Sequence, residues 1–100
     1  MTESDSTKTI VTDNPDRSQF ELTIGDETAV AAYTRESGRI TFTHTQVPES
    51  LEGQGYGTQL AKGALGKARA EGLKVVPRCA FIADFIEKNP EYADLVAPEN

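Results

Sequence analysis

The sequence predicts an α+β fold with a mixed sheet, in which an antiparallel meander precedes a βαβ crossover and a carboxyl-terminal helix. Three observations carry this prediction. The first half contains short segments of alternating apolar residues, the second half contains two amphipathic helix patterns, and a short apolar segment separates those helices. A chain of 100 residues is long enough for one domain with a thin core.

The amino-terminal residues predict a tail. Residues 1–18 are rich in Thr, Ser, Asp and Asn and contain little apolar material beyond Ile10 and Val11. This composition predicts a mobile segment, with at most a short strand at Thr9–Val11. We therefore place the domain at residues 19–97.

Three segments predict the antiparallel meander. Phe20–Ile24 alternates apolar and polar residues, and Thr28–Thr34 and Arg39–Thr45 follow as two more strands. Turns that contain Gly25 and Gly38 join them. We expect Ile40, Phe42 and His44 to share one face of the third strand.

The second half predicts helix, strand and helix. A helix of about 14 residues follows Gly57 and ends at Gly72. Gly63 and Gly66 within it each cost about 1 kcal/mol relative to alanine, which suggests that the sheet or a ligand approaches closely. Leu73–Pro77 is then predicted to form a strand parallel to the third one, which completes the crossover. Cys79–Lys88 is predicted to form the second helix, and its expected buried stripe is Phe81, Ile82, Phe85 and Ile86. Glu91–Val96 is expected to form a last turn.

Composition narrows the classes of partner and compartment. The net charge of -6 argues against nucleic acid and anionic membranes, because binding to phosphates requires clustered Lys and Arg. We find no apolar run long enough for a transmembrane helix or a signal peptide and expect a cytoplasmic protein. The single cysteine excludes an internal disulfide framework, so Cys79 is either a buried apolar residue or a reactive thiol.

The most informative segment runs from Val47 to Thr58, between a strand and a helix. Gly53, Gly55 and Gly57 allow a tight turn and close approach of backbone N–H groups to a ligand. A helix N-terminus favours an anion, most often a phosphate. The spacing excludes a P-loop, which requires Gly-Lys-Ser/Thr, and a dinucleotide fingerprint, which requires glycine at position 58. A plain connecting turn remains an alternative.

One family fits the segment. Glu52-Gly-Gln-Gly-Tyr-Gly57 resembles the pyrophosphate loop [R/Q]-x-x-G-x-[G/A] of the GNAT superfamily of N-acetyltransferases, although Glu52 departs from its first position. Residues 39–96 as a whole resemble the minimal, single-domain GNAT-like family through further segments at matching order and spacing: His44-Thr-x-Val-Pro48, Gly72-Leu-Lys-Val-x-Pro77, Cys79 and Asn89-Pro-Glu-Tyr-x-Asp-Leu-Val96.

The resemblance implies a small GNAT-like fold, acetyl-CoA as cofactor, and an amine acceptor on a small molecule or a lysine side chain. It also implies that backbone amides near Val47 hold the developing oxyanion. The residues expected to bind the cofactor are Val47, Gln54, Gly55, Tyr56, Gly57 and Thr58. Pro48 either shapes a gap for the pantetheine arm or simply ends its strand.

Three residues are candidates for the chemistry. His44, the only histidine, is either a general base or a packed core residue. Cys79 begins a helix beside Arg78, so it is either an acyl-accepting thiolate or a buried residue. In ordinary GNAT enzymes this helix carries an Asn and a Tyr that acts as the proton donor. Cys79 and Ile86 occupy those two positions here. Only Tyr92, which could equally anchor the last turn, remains to protonate the leaving thiolate.

A non-catalytic CoA-binding or protein-interaction module is the alternative function. The short chain lacks the additional strand and helices that usually wall the acceptor site in the family it resembles. A second copy in a homodimer, or another protein, could supply that wall.

Overall fold

The computed structural model describes residues 11–97 and contains a sheet of five strands in chain order. Strands β1 to β4 pair antiparallel, and β5 pairs parallel with β4, so the predicted mixed α+β sheet is confirmed. The elements are β1 (Val11–Asn14), β2 (Gln19–Ile24), β3 (Glu27–Glu36), β4 (Arg39–Gln46), α1 (Tyr56–Ala70), β5 (Lys74–Pro77) and α2 (Ala80–Lys88), with 3-10 turns at Glu49–Leu51 and Pro90–Leu95.

Strand β1 lies within the segment for which the composition predicts a tail. Val11 pairs with Leu22 of β2, and the side chain of Tyr33 on β3 donates a hydrogen bond to the carboxylate of Asp13. Residues 11–14 are therefore part of the sheet, and the tail expected over residues 1–18 is wrong there. A short edge strand needs few apolar residues, which is why its polar composition is misleading. Residues 1–10 lie outside the described part of the chain.

The core lies between one face of the sheet and the helices. Helix α1 packs over β1, β2 and β3, while α2 packs against β4 and β5 and also contacts α1. The ring of Phe20 lies 5.1 Å from that of Tyr33 and 6.0 Å from that of Phe42, measured between centroids. The buried side of α1 is the predicted one: Leu60, Ala61, Ala64, Leu65 and Ala68.

A bulge in β4 changes which side chains face the core. Tyr33 pairs with Phe42 while the preceding residue, Ala32, pairs with His44, so Thr43 is an extra residue on β4. An insertion of one residue reverses the alternation of faces. His44 is exposed and Thr45 is partly buried, and the face that His44 was expected to share with Phe42 ends at Phe42. This expectation for His44 was wrong.

The last described residues cover part of the outer edge of β5. The backbone N–H of Ala97 donates to the carbonyl of Val75 at 2.8 Å, and Val96 forms a parallel bridge with Val75. Pairing of this kind protects a strand edge from other chains. No helix in residues 11–97 is both long and apolar enough to cross a membrane.

Candidate functional site

The site begins where β4 extends past β5. The parallel pairing ends at Phe42 opposite Pro77, and β4 continues to Gln46 without a partner residue in β5. The backbone N–H groups of Arg78 and Cys79 both donate to the carbonyl of Phe42, at 3.1 and 2.9 Å, as the chain turns away into α2. The two parallel strands therefore diverge at their carboxyl ends, where ligands of such sheets bind.

The glycine loop crosses this opening and leads into α1. Gly53 and Gly55 have φ angles of 80° and 84°, in the left-handed region that favours glycine, and a Cβ on either would meet no atom within 4 Å. Gly55 is the N-cap of α1, and no side chain caps the helix there. The first turn also carries no acidic residue. The unpaired amides and the helix dipole make this end of α1 suitable for an anion.

A pocket of about 410 Å³ lies at the junction of the loop, the end of β4 and the first turns of both helices. Gly57 is at its base, because a Cβ there would lie 2.8 Å from Cζ of Phe81 and 3.5 Å from Cγ2 of Val47. Any residue other than glycine at position 57 would place its side chain in the space between α1 and α2. The pocket is lined by Thr45, Val47, Leu51, Glu52, Gly53, Gly55, Tyr56, Gly57, Thr58 and Phe81.

The residues expected to bind the cofactor separate into two groups. Val47, Gly55, Tyr56, Gly57 and Thr58 all line this pocket. Gln54 is not among the lining residues. Its side-chain amide donates to the carbonyl of Ser50 at 3.0 Å, so it braces the loop from outside.

None of the three chemical candidates is among the described residues that line the pocket. Cys79 is buried, with 8% of its surface exposed, and its Sγ lies 3.0 Å from Oγ1 of Thr45. His44 is exposed and does not line the pocket. Tyr92 packs its ring 5.6 Å from that of Phe85, which fits the anchoring role that was its alternative.

Thr45 and Phe81 are pocket residues that the sequence did not single out. The bulge at Thr43 turns Thr45 inward, and nothing in the residue pattern marks that bulge. Phe81 was expected in the buried stripe of α2, but 40% of its surface is exposed. Its offset from the i, i+3, i+4 pattern of Ile82, Phe85 and Ile86 is the signal that could have placed it at the edge of the stripe.

The described residues contain no group of three or more His, Cys, Asp or Glu side chains that could hold a metal ion. The charged interactions within residues 11–97 lie mainly on the surface. Arg69 makes two hydrogen bonds of 3.1 Å with the carboxylate of Asp94, which raise the pKa of the arginine and lower that of the aspartate. This pair joins the 3-10 turn at Pro90–Leu95 to α1, and neither residue lines the pocket.

Comparisons with known proteins agree with this geometry. Residues 19–95 match the family model of the GCN5-related N-acetyltransferases. Among solved structures, the chain is similar to the NMR solution structure of a GCN5-like protein from Staphylococcus aureus that was proposed to be an N-acetyltransferase. The two are 26% identical and superpose with a TM-score of 0.68 over 90% of this chain and 89% of that one. A search of curated proteins gave no match. The fold, the loop and the family match together establish that the chain belongs to the GCN5-related N-acetyltransferase family and is an acetyltransferase.

Proposed function

We propose that the protein binds acetyl-CoA in the glycine-loop pocket and transfers its acetyl group to an amine, either on a small molecule or on a lysine side chain. The observation that carries this proposal is the coincidence of three features in one cavity. The uncapped N-terminus of α1, the positive φ angles of the loop and the divergence of β4 from β5 all meet there.

We assign the parts of the cofactor to successive parts of the pocket. The diphosphate accepts hydrogen bonds from the backbone N–H groups of Gly55 to Thr58, where the dipole of α1 favours negative charge. The pantetheine arm then follows the unpaired edge of β4 past Val47. Phe81 gives this route an apolar wall, and contact with the arm would cover a large apolar side chain that is otherwise 40% exposed.

The reaction that follows is direct acyl transfer. The amine nitrogen attacks the thioester carbonyl, the C–N bond forms as the C–S bond breaks, and backbone amides near Val47 hold the oxyanion. The amine gives up a proton and the CoA thiolate takes one. We assign His44, the only histidine, as the base; because its ring is exposed and does not line the pocket, it would take the proton through water. Tyr92, the proposed proton donor for the thiolate, would act through water, since it does not line the pocket.

The amine-panel assay tests the function itself. Acetyl-CoA consumption is measured with small amines and with lysine-containing peptides as acceptors. Turnover with any acceptor above the rate of hydrolysis supports the proposal. Binding of acetyl-CoA without turnover on any of these acceptors would favour the non-catalytic CoA-binding module.

A second experiment separates direct transfer from a route through Cys79. In that route the thiolate of Cys79 would attack the thioester, form an S-acetyl enzyme and release CoA before the amine reacts. Incubation with acetyl-CoA alone would then add one acetyl group, removable by hydroxylamine and absent from Cys79→Ala. We expect no adduct and nearly full activity in Cys79→Ala, whereas His44→Ala should lose about 10²- to 10⁴-fold. Full activity in both variants would leave positioning of a neutral amine as the source of catalysis.

A further inference from the structure

We propose that Glu52 limits the affinity of the pocket for CoA and thereby speeds release of the product. This inference rests on the proposed function, since it concerns the diphosphate of the bound cofactor. It assigns a role to a side chain that opposes binding.

Glu52 is the only charged residue among the described residues that line the pocket. Within residues 11–97, its neighbours in the lining are apolar residues, glycines, a tyrosine and two threonines, with no lysine, arginine or histidine. The Glu52 backbone N–H donates to the carbonyl of Glu49 at 3.2 Å, which holds the residue at the end of the 3-10 turn. The side chain is exposed and, within residues 11–97, takes part in no ion pair or side-chain hydrogen bond. No ion pair with another described residue therefore neutralises its charge.

Two opposing charges of similar size act on a diphosphate at this loop. The N-terminus of α1 offers the equivalent of about half a positive charge. Glu52 brings a full negative charge to the same cavity, and the ligand carries negative charge on each of its two linked phosphates. The field of the helix favours the diphosphate and the carboxylate opposes it, so the identity of residue 52 sets the affinity.

The same repulsion acts on substrate and product. Acetyl-CoA and CoA share the diphosphate, so Glu52 weakens both to the same degree and leaves the chemical step unchanged. The expected consequences are a higher KM and faster dissociation of CoA. Where product release limits turnover, removal of the charge lowers KM and also lowers kcat.

The test compares Glu52→Gln with a matched control, Glu49→Gln. Both substitutions remove one negative charge from the same segment, but Glu49 does not line the pocket. The dissociation constants of CoA and of pantetheine, which lacks the diphosphate, are measured by calorimetry in the presence of EDTA, so that no divalent cation bridges carboxylate and phosphate. Melting temperatures of both variants establish that they are folded.

We expect Glu52→Gln to bind CoA about three- to tenfold more tightly than the wild type, with Glu49→Gln within about twofold of it. Pantetheine affinity should be the same in all three proteins. The advantage of Glu52→Gln should shrink as NaCl is raised, because charges at an exposed loop are screened. A role of Glu52 in loop structure alone would show no such salt dependence.

Equal CoA affinities in wild type and Glu52→Gln would overturn the inference and leave the proposed function intact. An equal gain in Glu49→Gln would also overturn it, because the effect would then reflect net charge. A wild-type protein that binds no CoA at any concentration tested would overturn the proposed function, and this inference with it.

Discussion

Gly57 and Phe81 lie so close at the base of the pocket that a Cβ on Gly57 would be 2.8 Å from Cζ of Phe81. Gly57 lies in the first turn of α1 and has no positive φ angle, so the glycine is required here for space and not for backbone conformation. The ring of Phe81 therefore occupies the space that a side chain at position 57 would need, and both residues line the pocket.

Gly57→Ala is therefore expected to displace the ring of Phe81 and narrow the pocket. If CoA binding requires Phe81 to take an off-rotamer position, the cost of that position is about 0.5–1.5 kcal/mol. The variant should then bind CoA about two- to tenfold more weakly than the wild type. Calorimetry on Gly57→Ala, Phe81→Ala and the double variant measures the coupling between the two sites. If the two effects simply add, the contact does not control the pocket.

Two glycines of α1 should respond to alanine with opposite signs. A Cβ on Gly63 would lie 2.5 Å from Cβ of Val11 in β1, whereas a Cβ on Gly66 would meet no atom within 4 Å. Gly63→Ala should destabilise the protein by about 1–3 kcal/mol through overpacking. Gly66→Ala should stabilise it by about 0.5–1 kcal/mol, because alanine favours the helix. Urea denaturation measures both, and stabilisation by both substitutions would show that β1 does not pack on α1.

The sequence predicted the parts of this molecule that follow a regular period. The buried side of α1, the β4-α1-β5 crossover and the glycine loop all follow from spacing and composition. The bulge at Thr43 could not be predicted, because threonine carries no signal for an extra residue, and it reversed the expected orientations of His44 and Thr45. Strand β1 was missed because its contribution depends on two tertiary contacts, of Val11 with Gly63 and of Asp13 with Tyr33.

Tyr33 predicts a loss of stability at alkaline pH. Burial of the ring and the hydrogen bond from its hydroxyl to Asp13 raise the pKa of Tyr33 to about 12. The unfolded chain loses this proton near pH 10 and the folded one only near 12, so the stabilisation is present below pH 10 and is lost as the pH rises through 12.

Tyr33→Phe provides the comparison. The phenylalanine variant should be less stable than the wild type by about 1 kcal/mol near neutral pH, where it lacks the hydrogen bond to Asp13. The difference should narrow and then reverse as the pH rises from about 10 to about 12, because the unfolded wild type loses the Tyr33 proton in this range while the folded wild type keeps it. Urea denaturation at each pH measures the difference, and a constant difference would show that the pKa of Tyr33 is not raised.

We propose above that CoA binds through the glycine loop at the N-terminus of α1. The most direct test is the CoA-induced rise in melting temperature of the wild type, Gly55→Asp and Gly25→Asp. Gly55 and Gly25 both have positive φ angles, of 84° and 60°, and a Cβ on either would lie in open space, so the two substitutions impose similar backbone strain and the same charge. Gly25 lies in the turn between β2 and β3, away from the pocket.

At a CoA concentration of about 100 times the Kd, binding should stabilise the wild type by about 2.7 kcal/mol. Gly25→Asp should lower the melting temperature without CoA but keep the full CoA-induced rise. Gly55→Asp should abolish that rise, because it places bulk and negative charge at the position proposed for the diphosphate. An undiminished CoA-induced rise in Gly55→Asp would contradict the account.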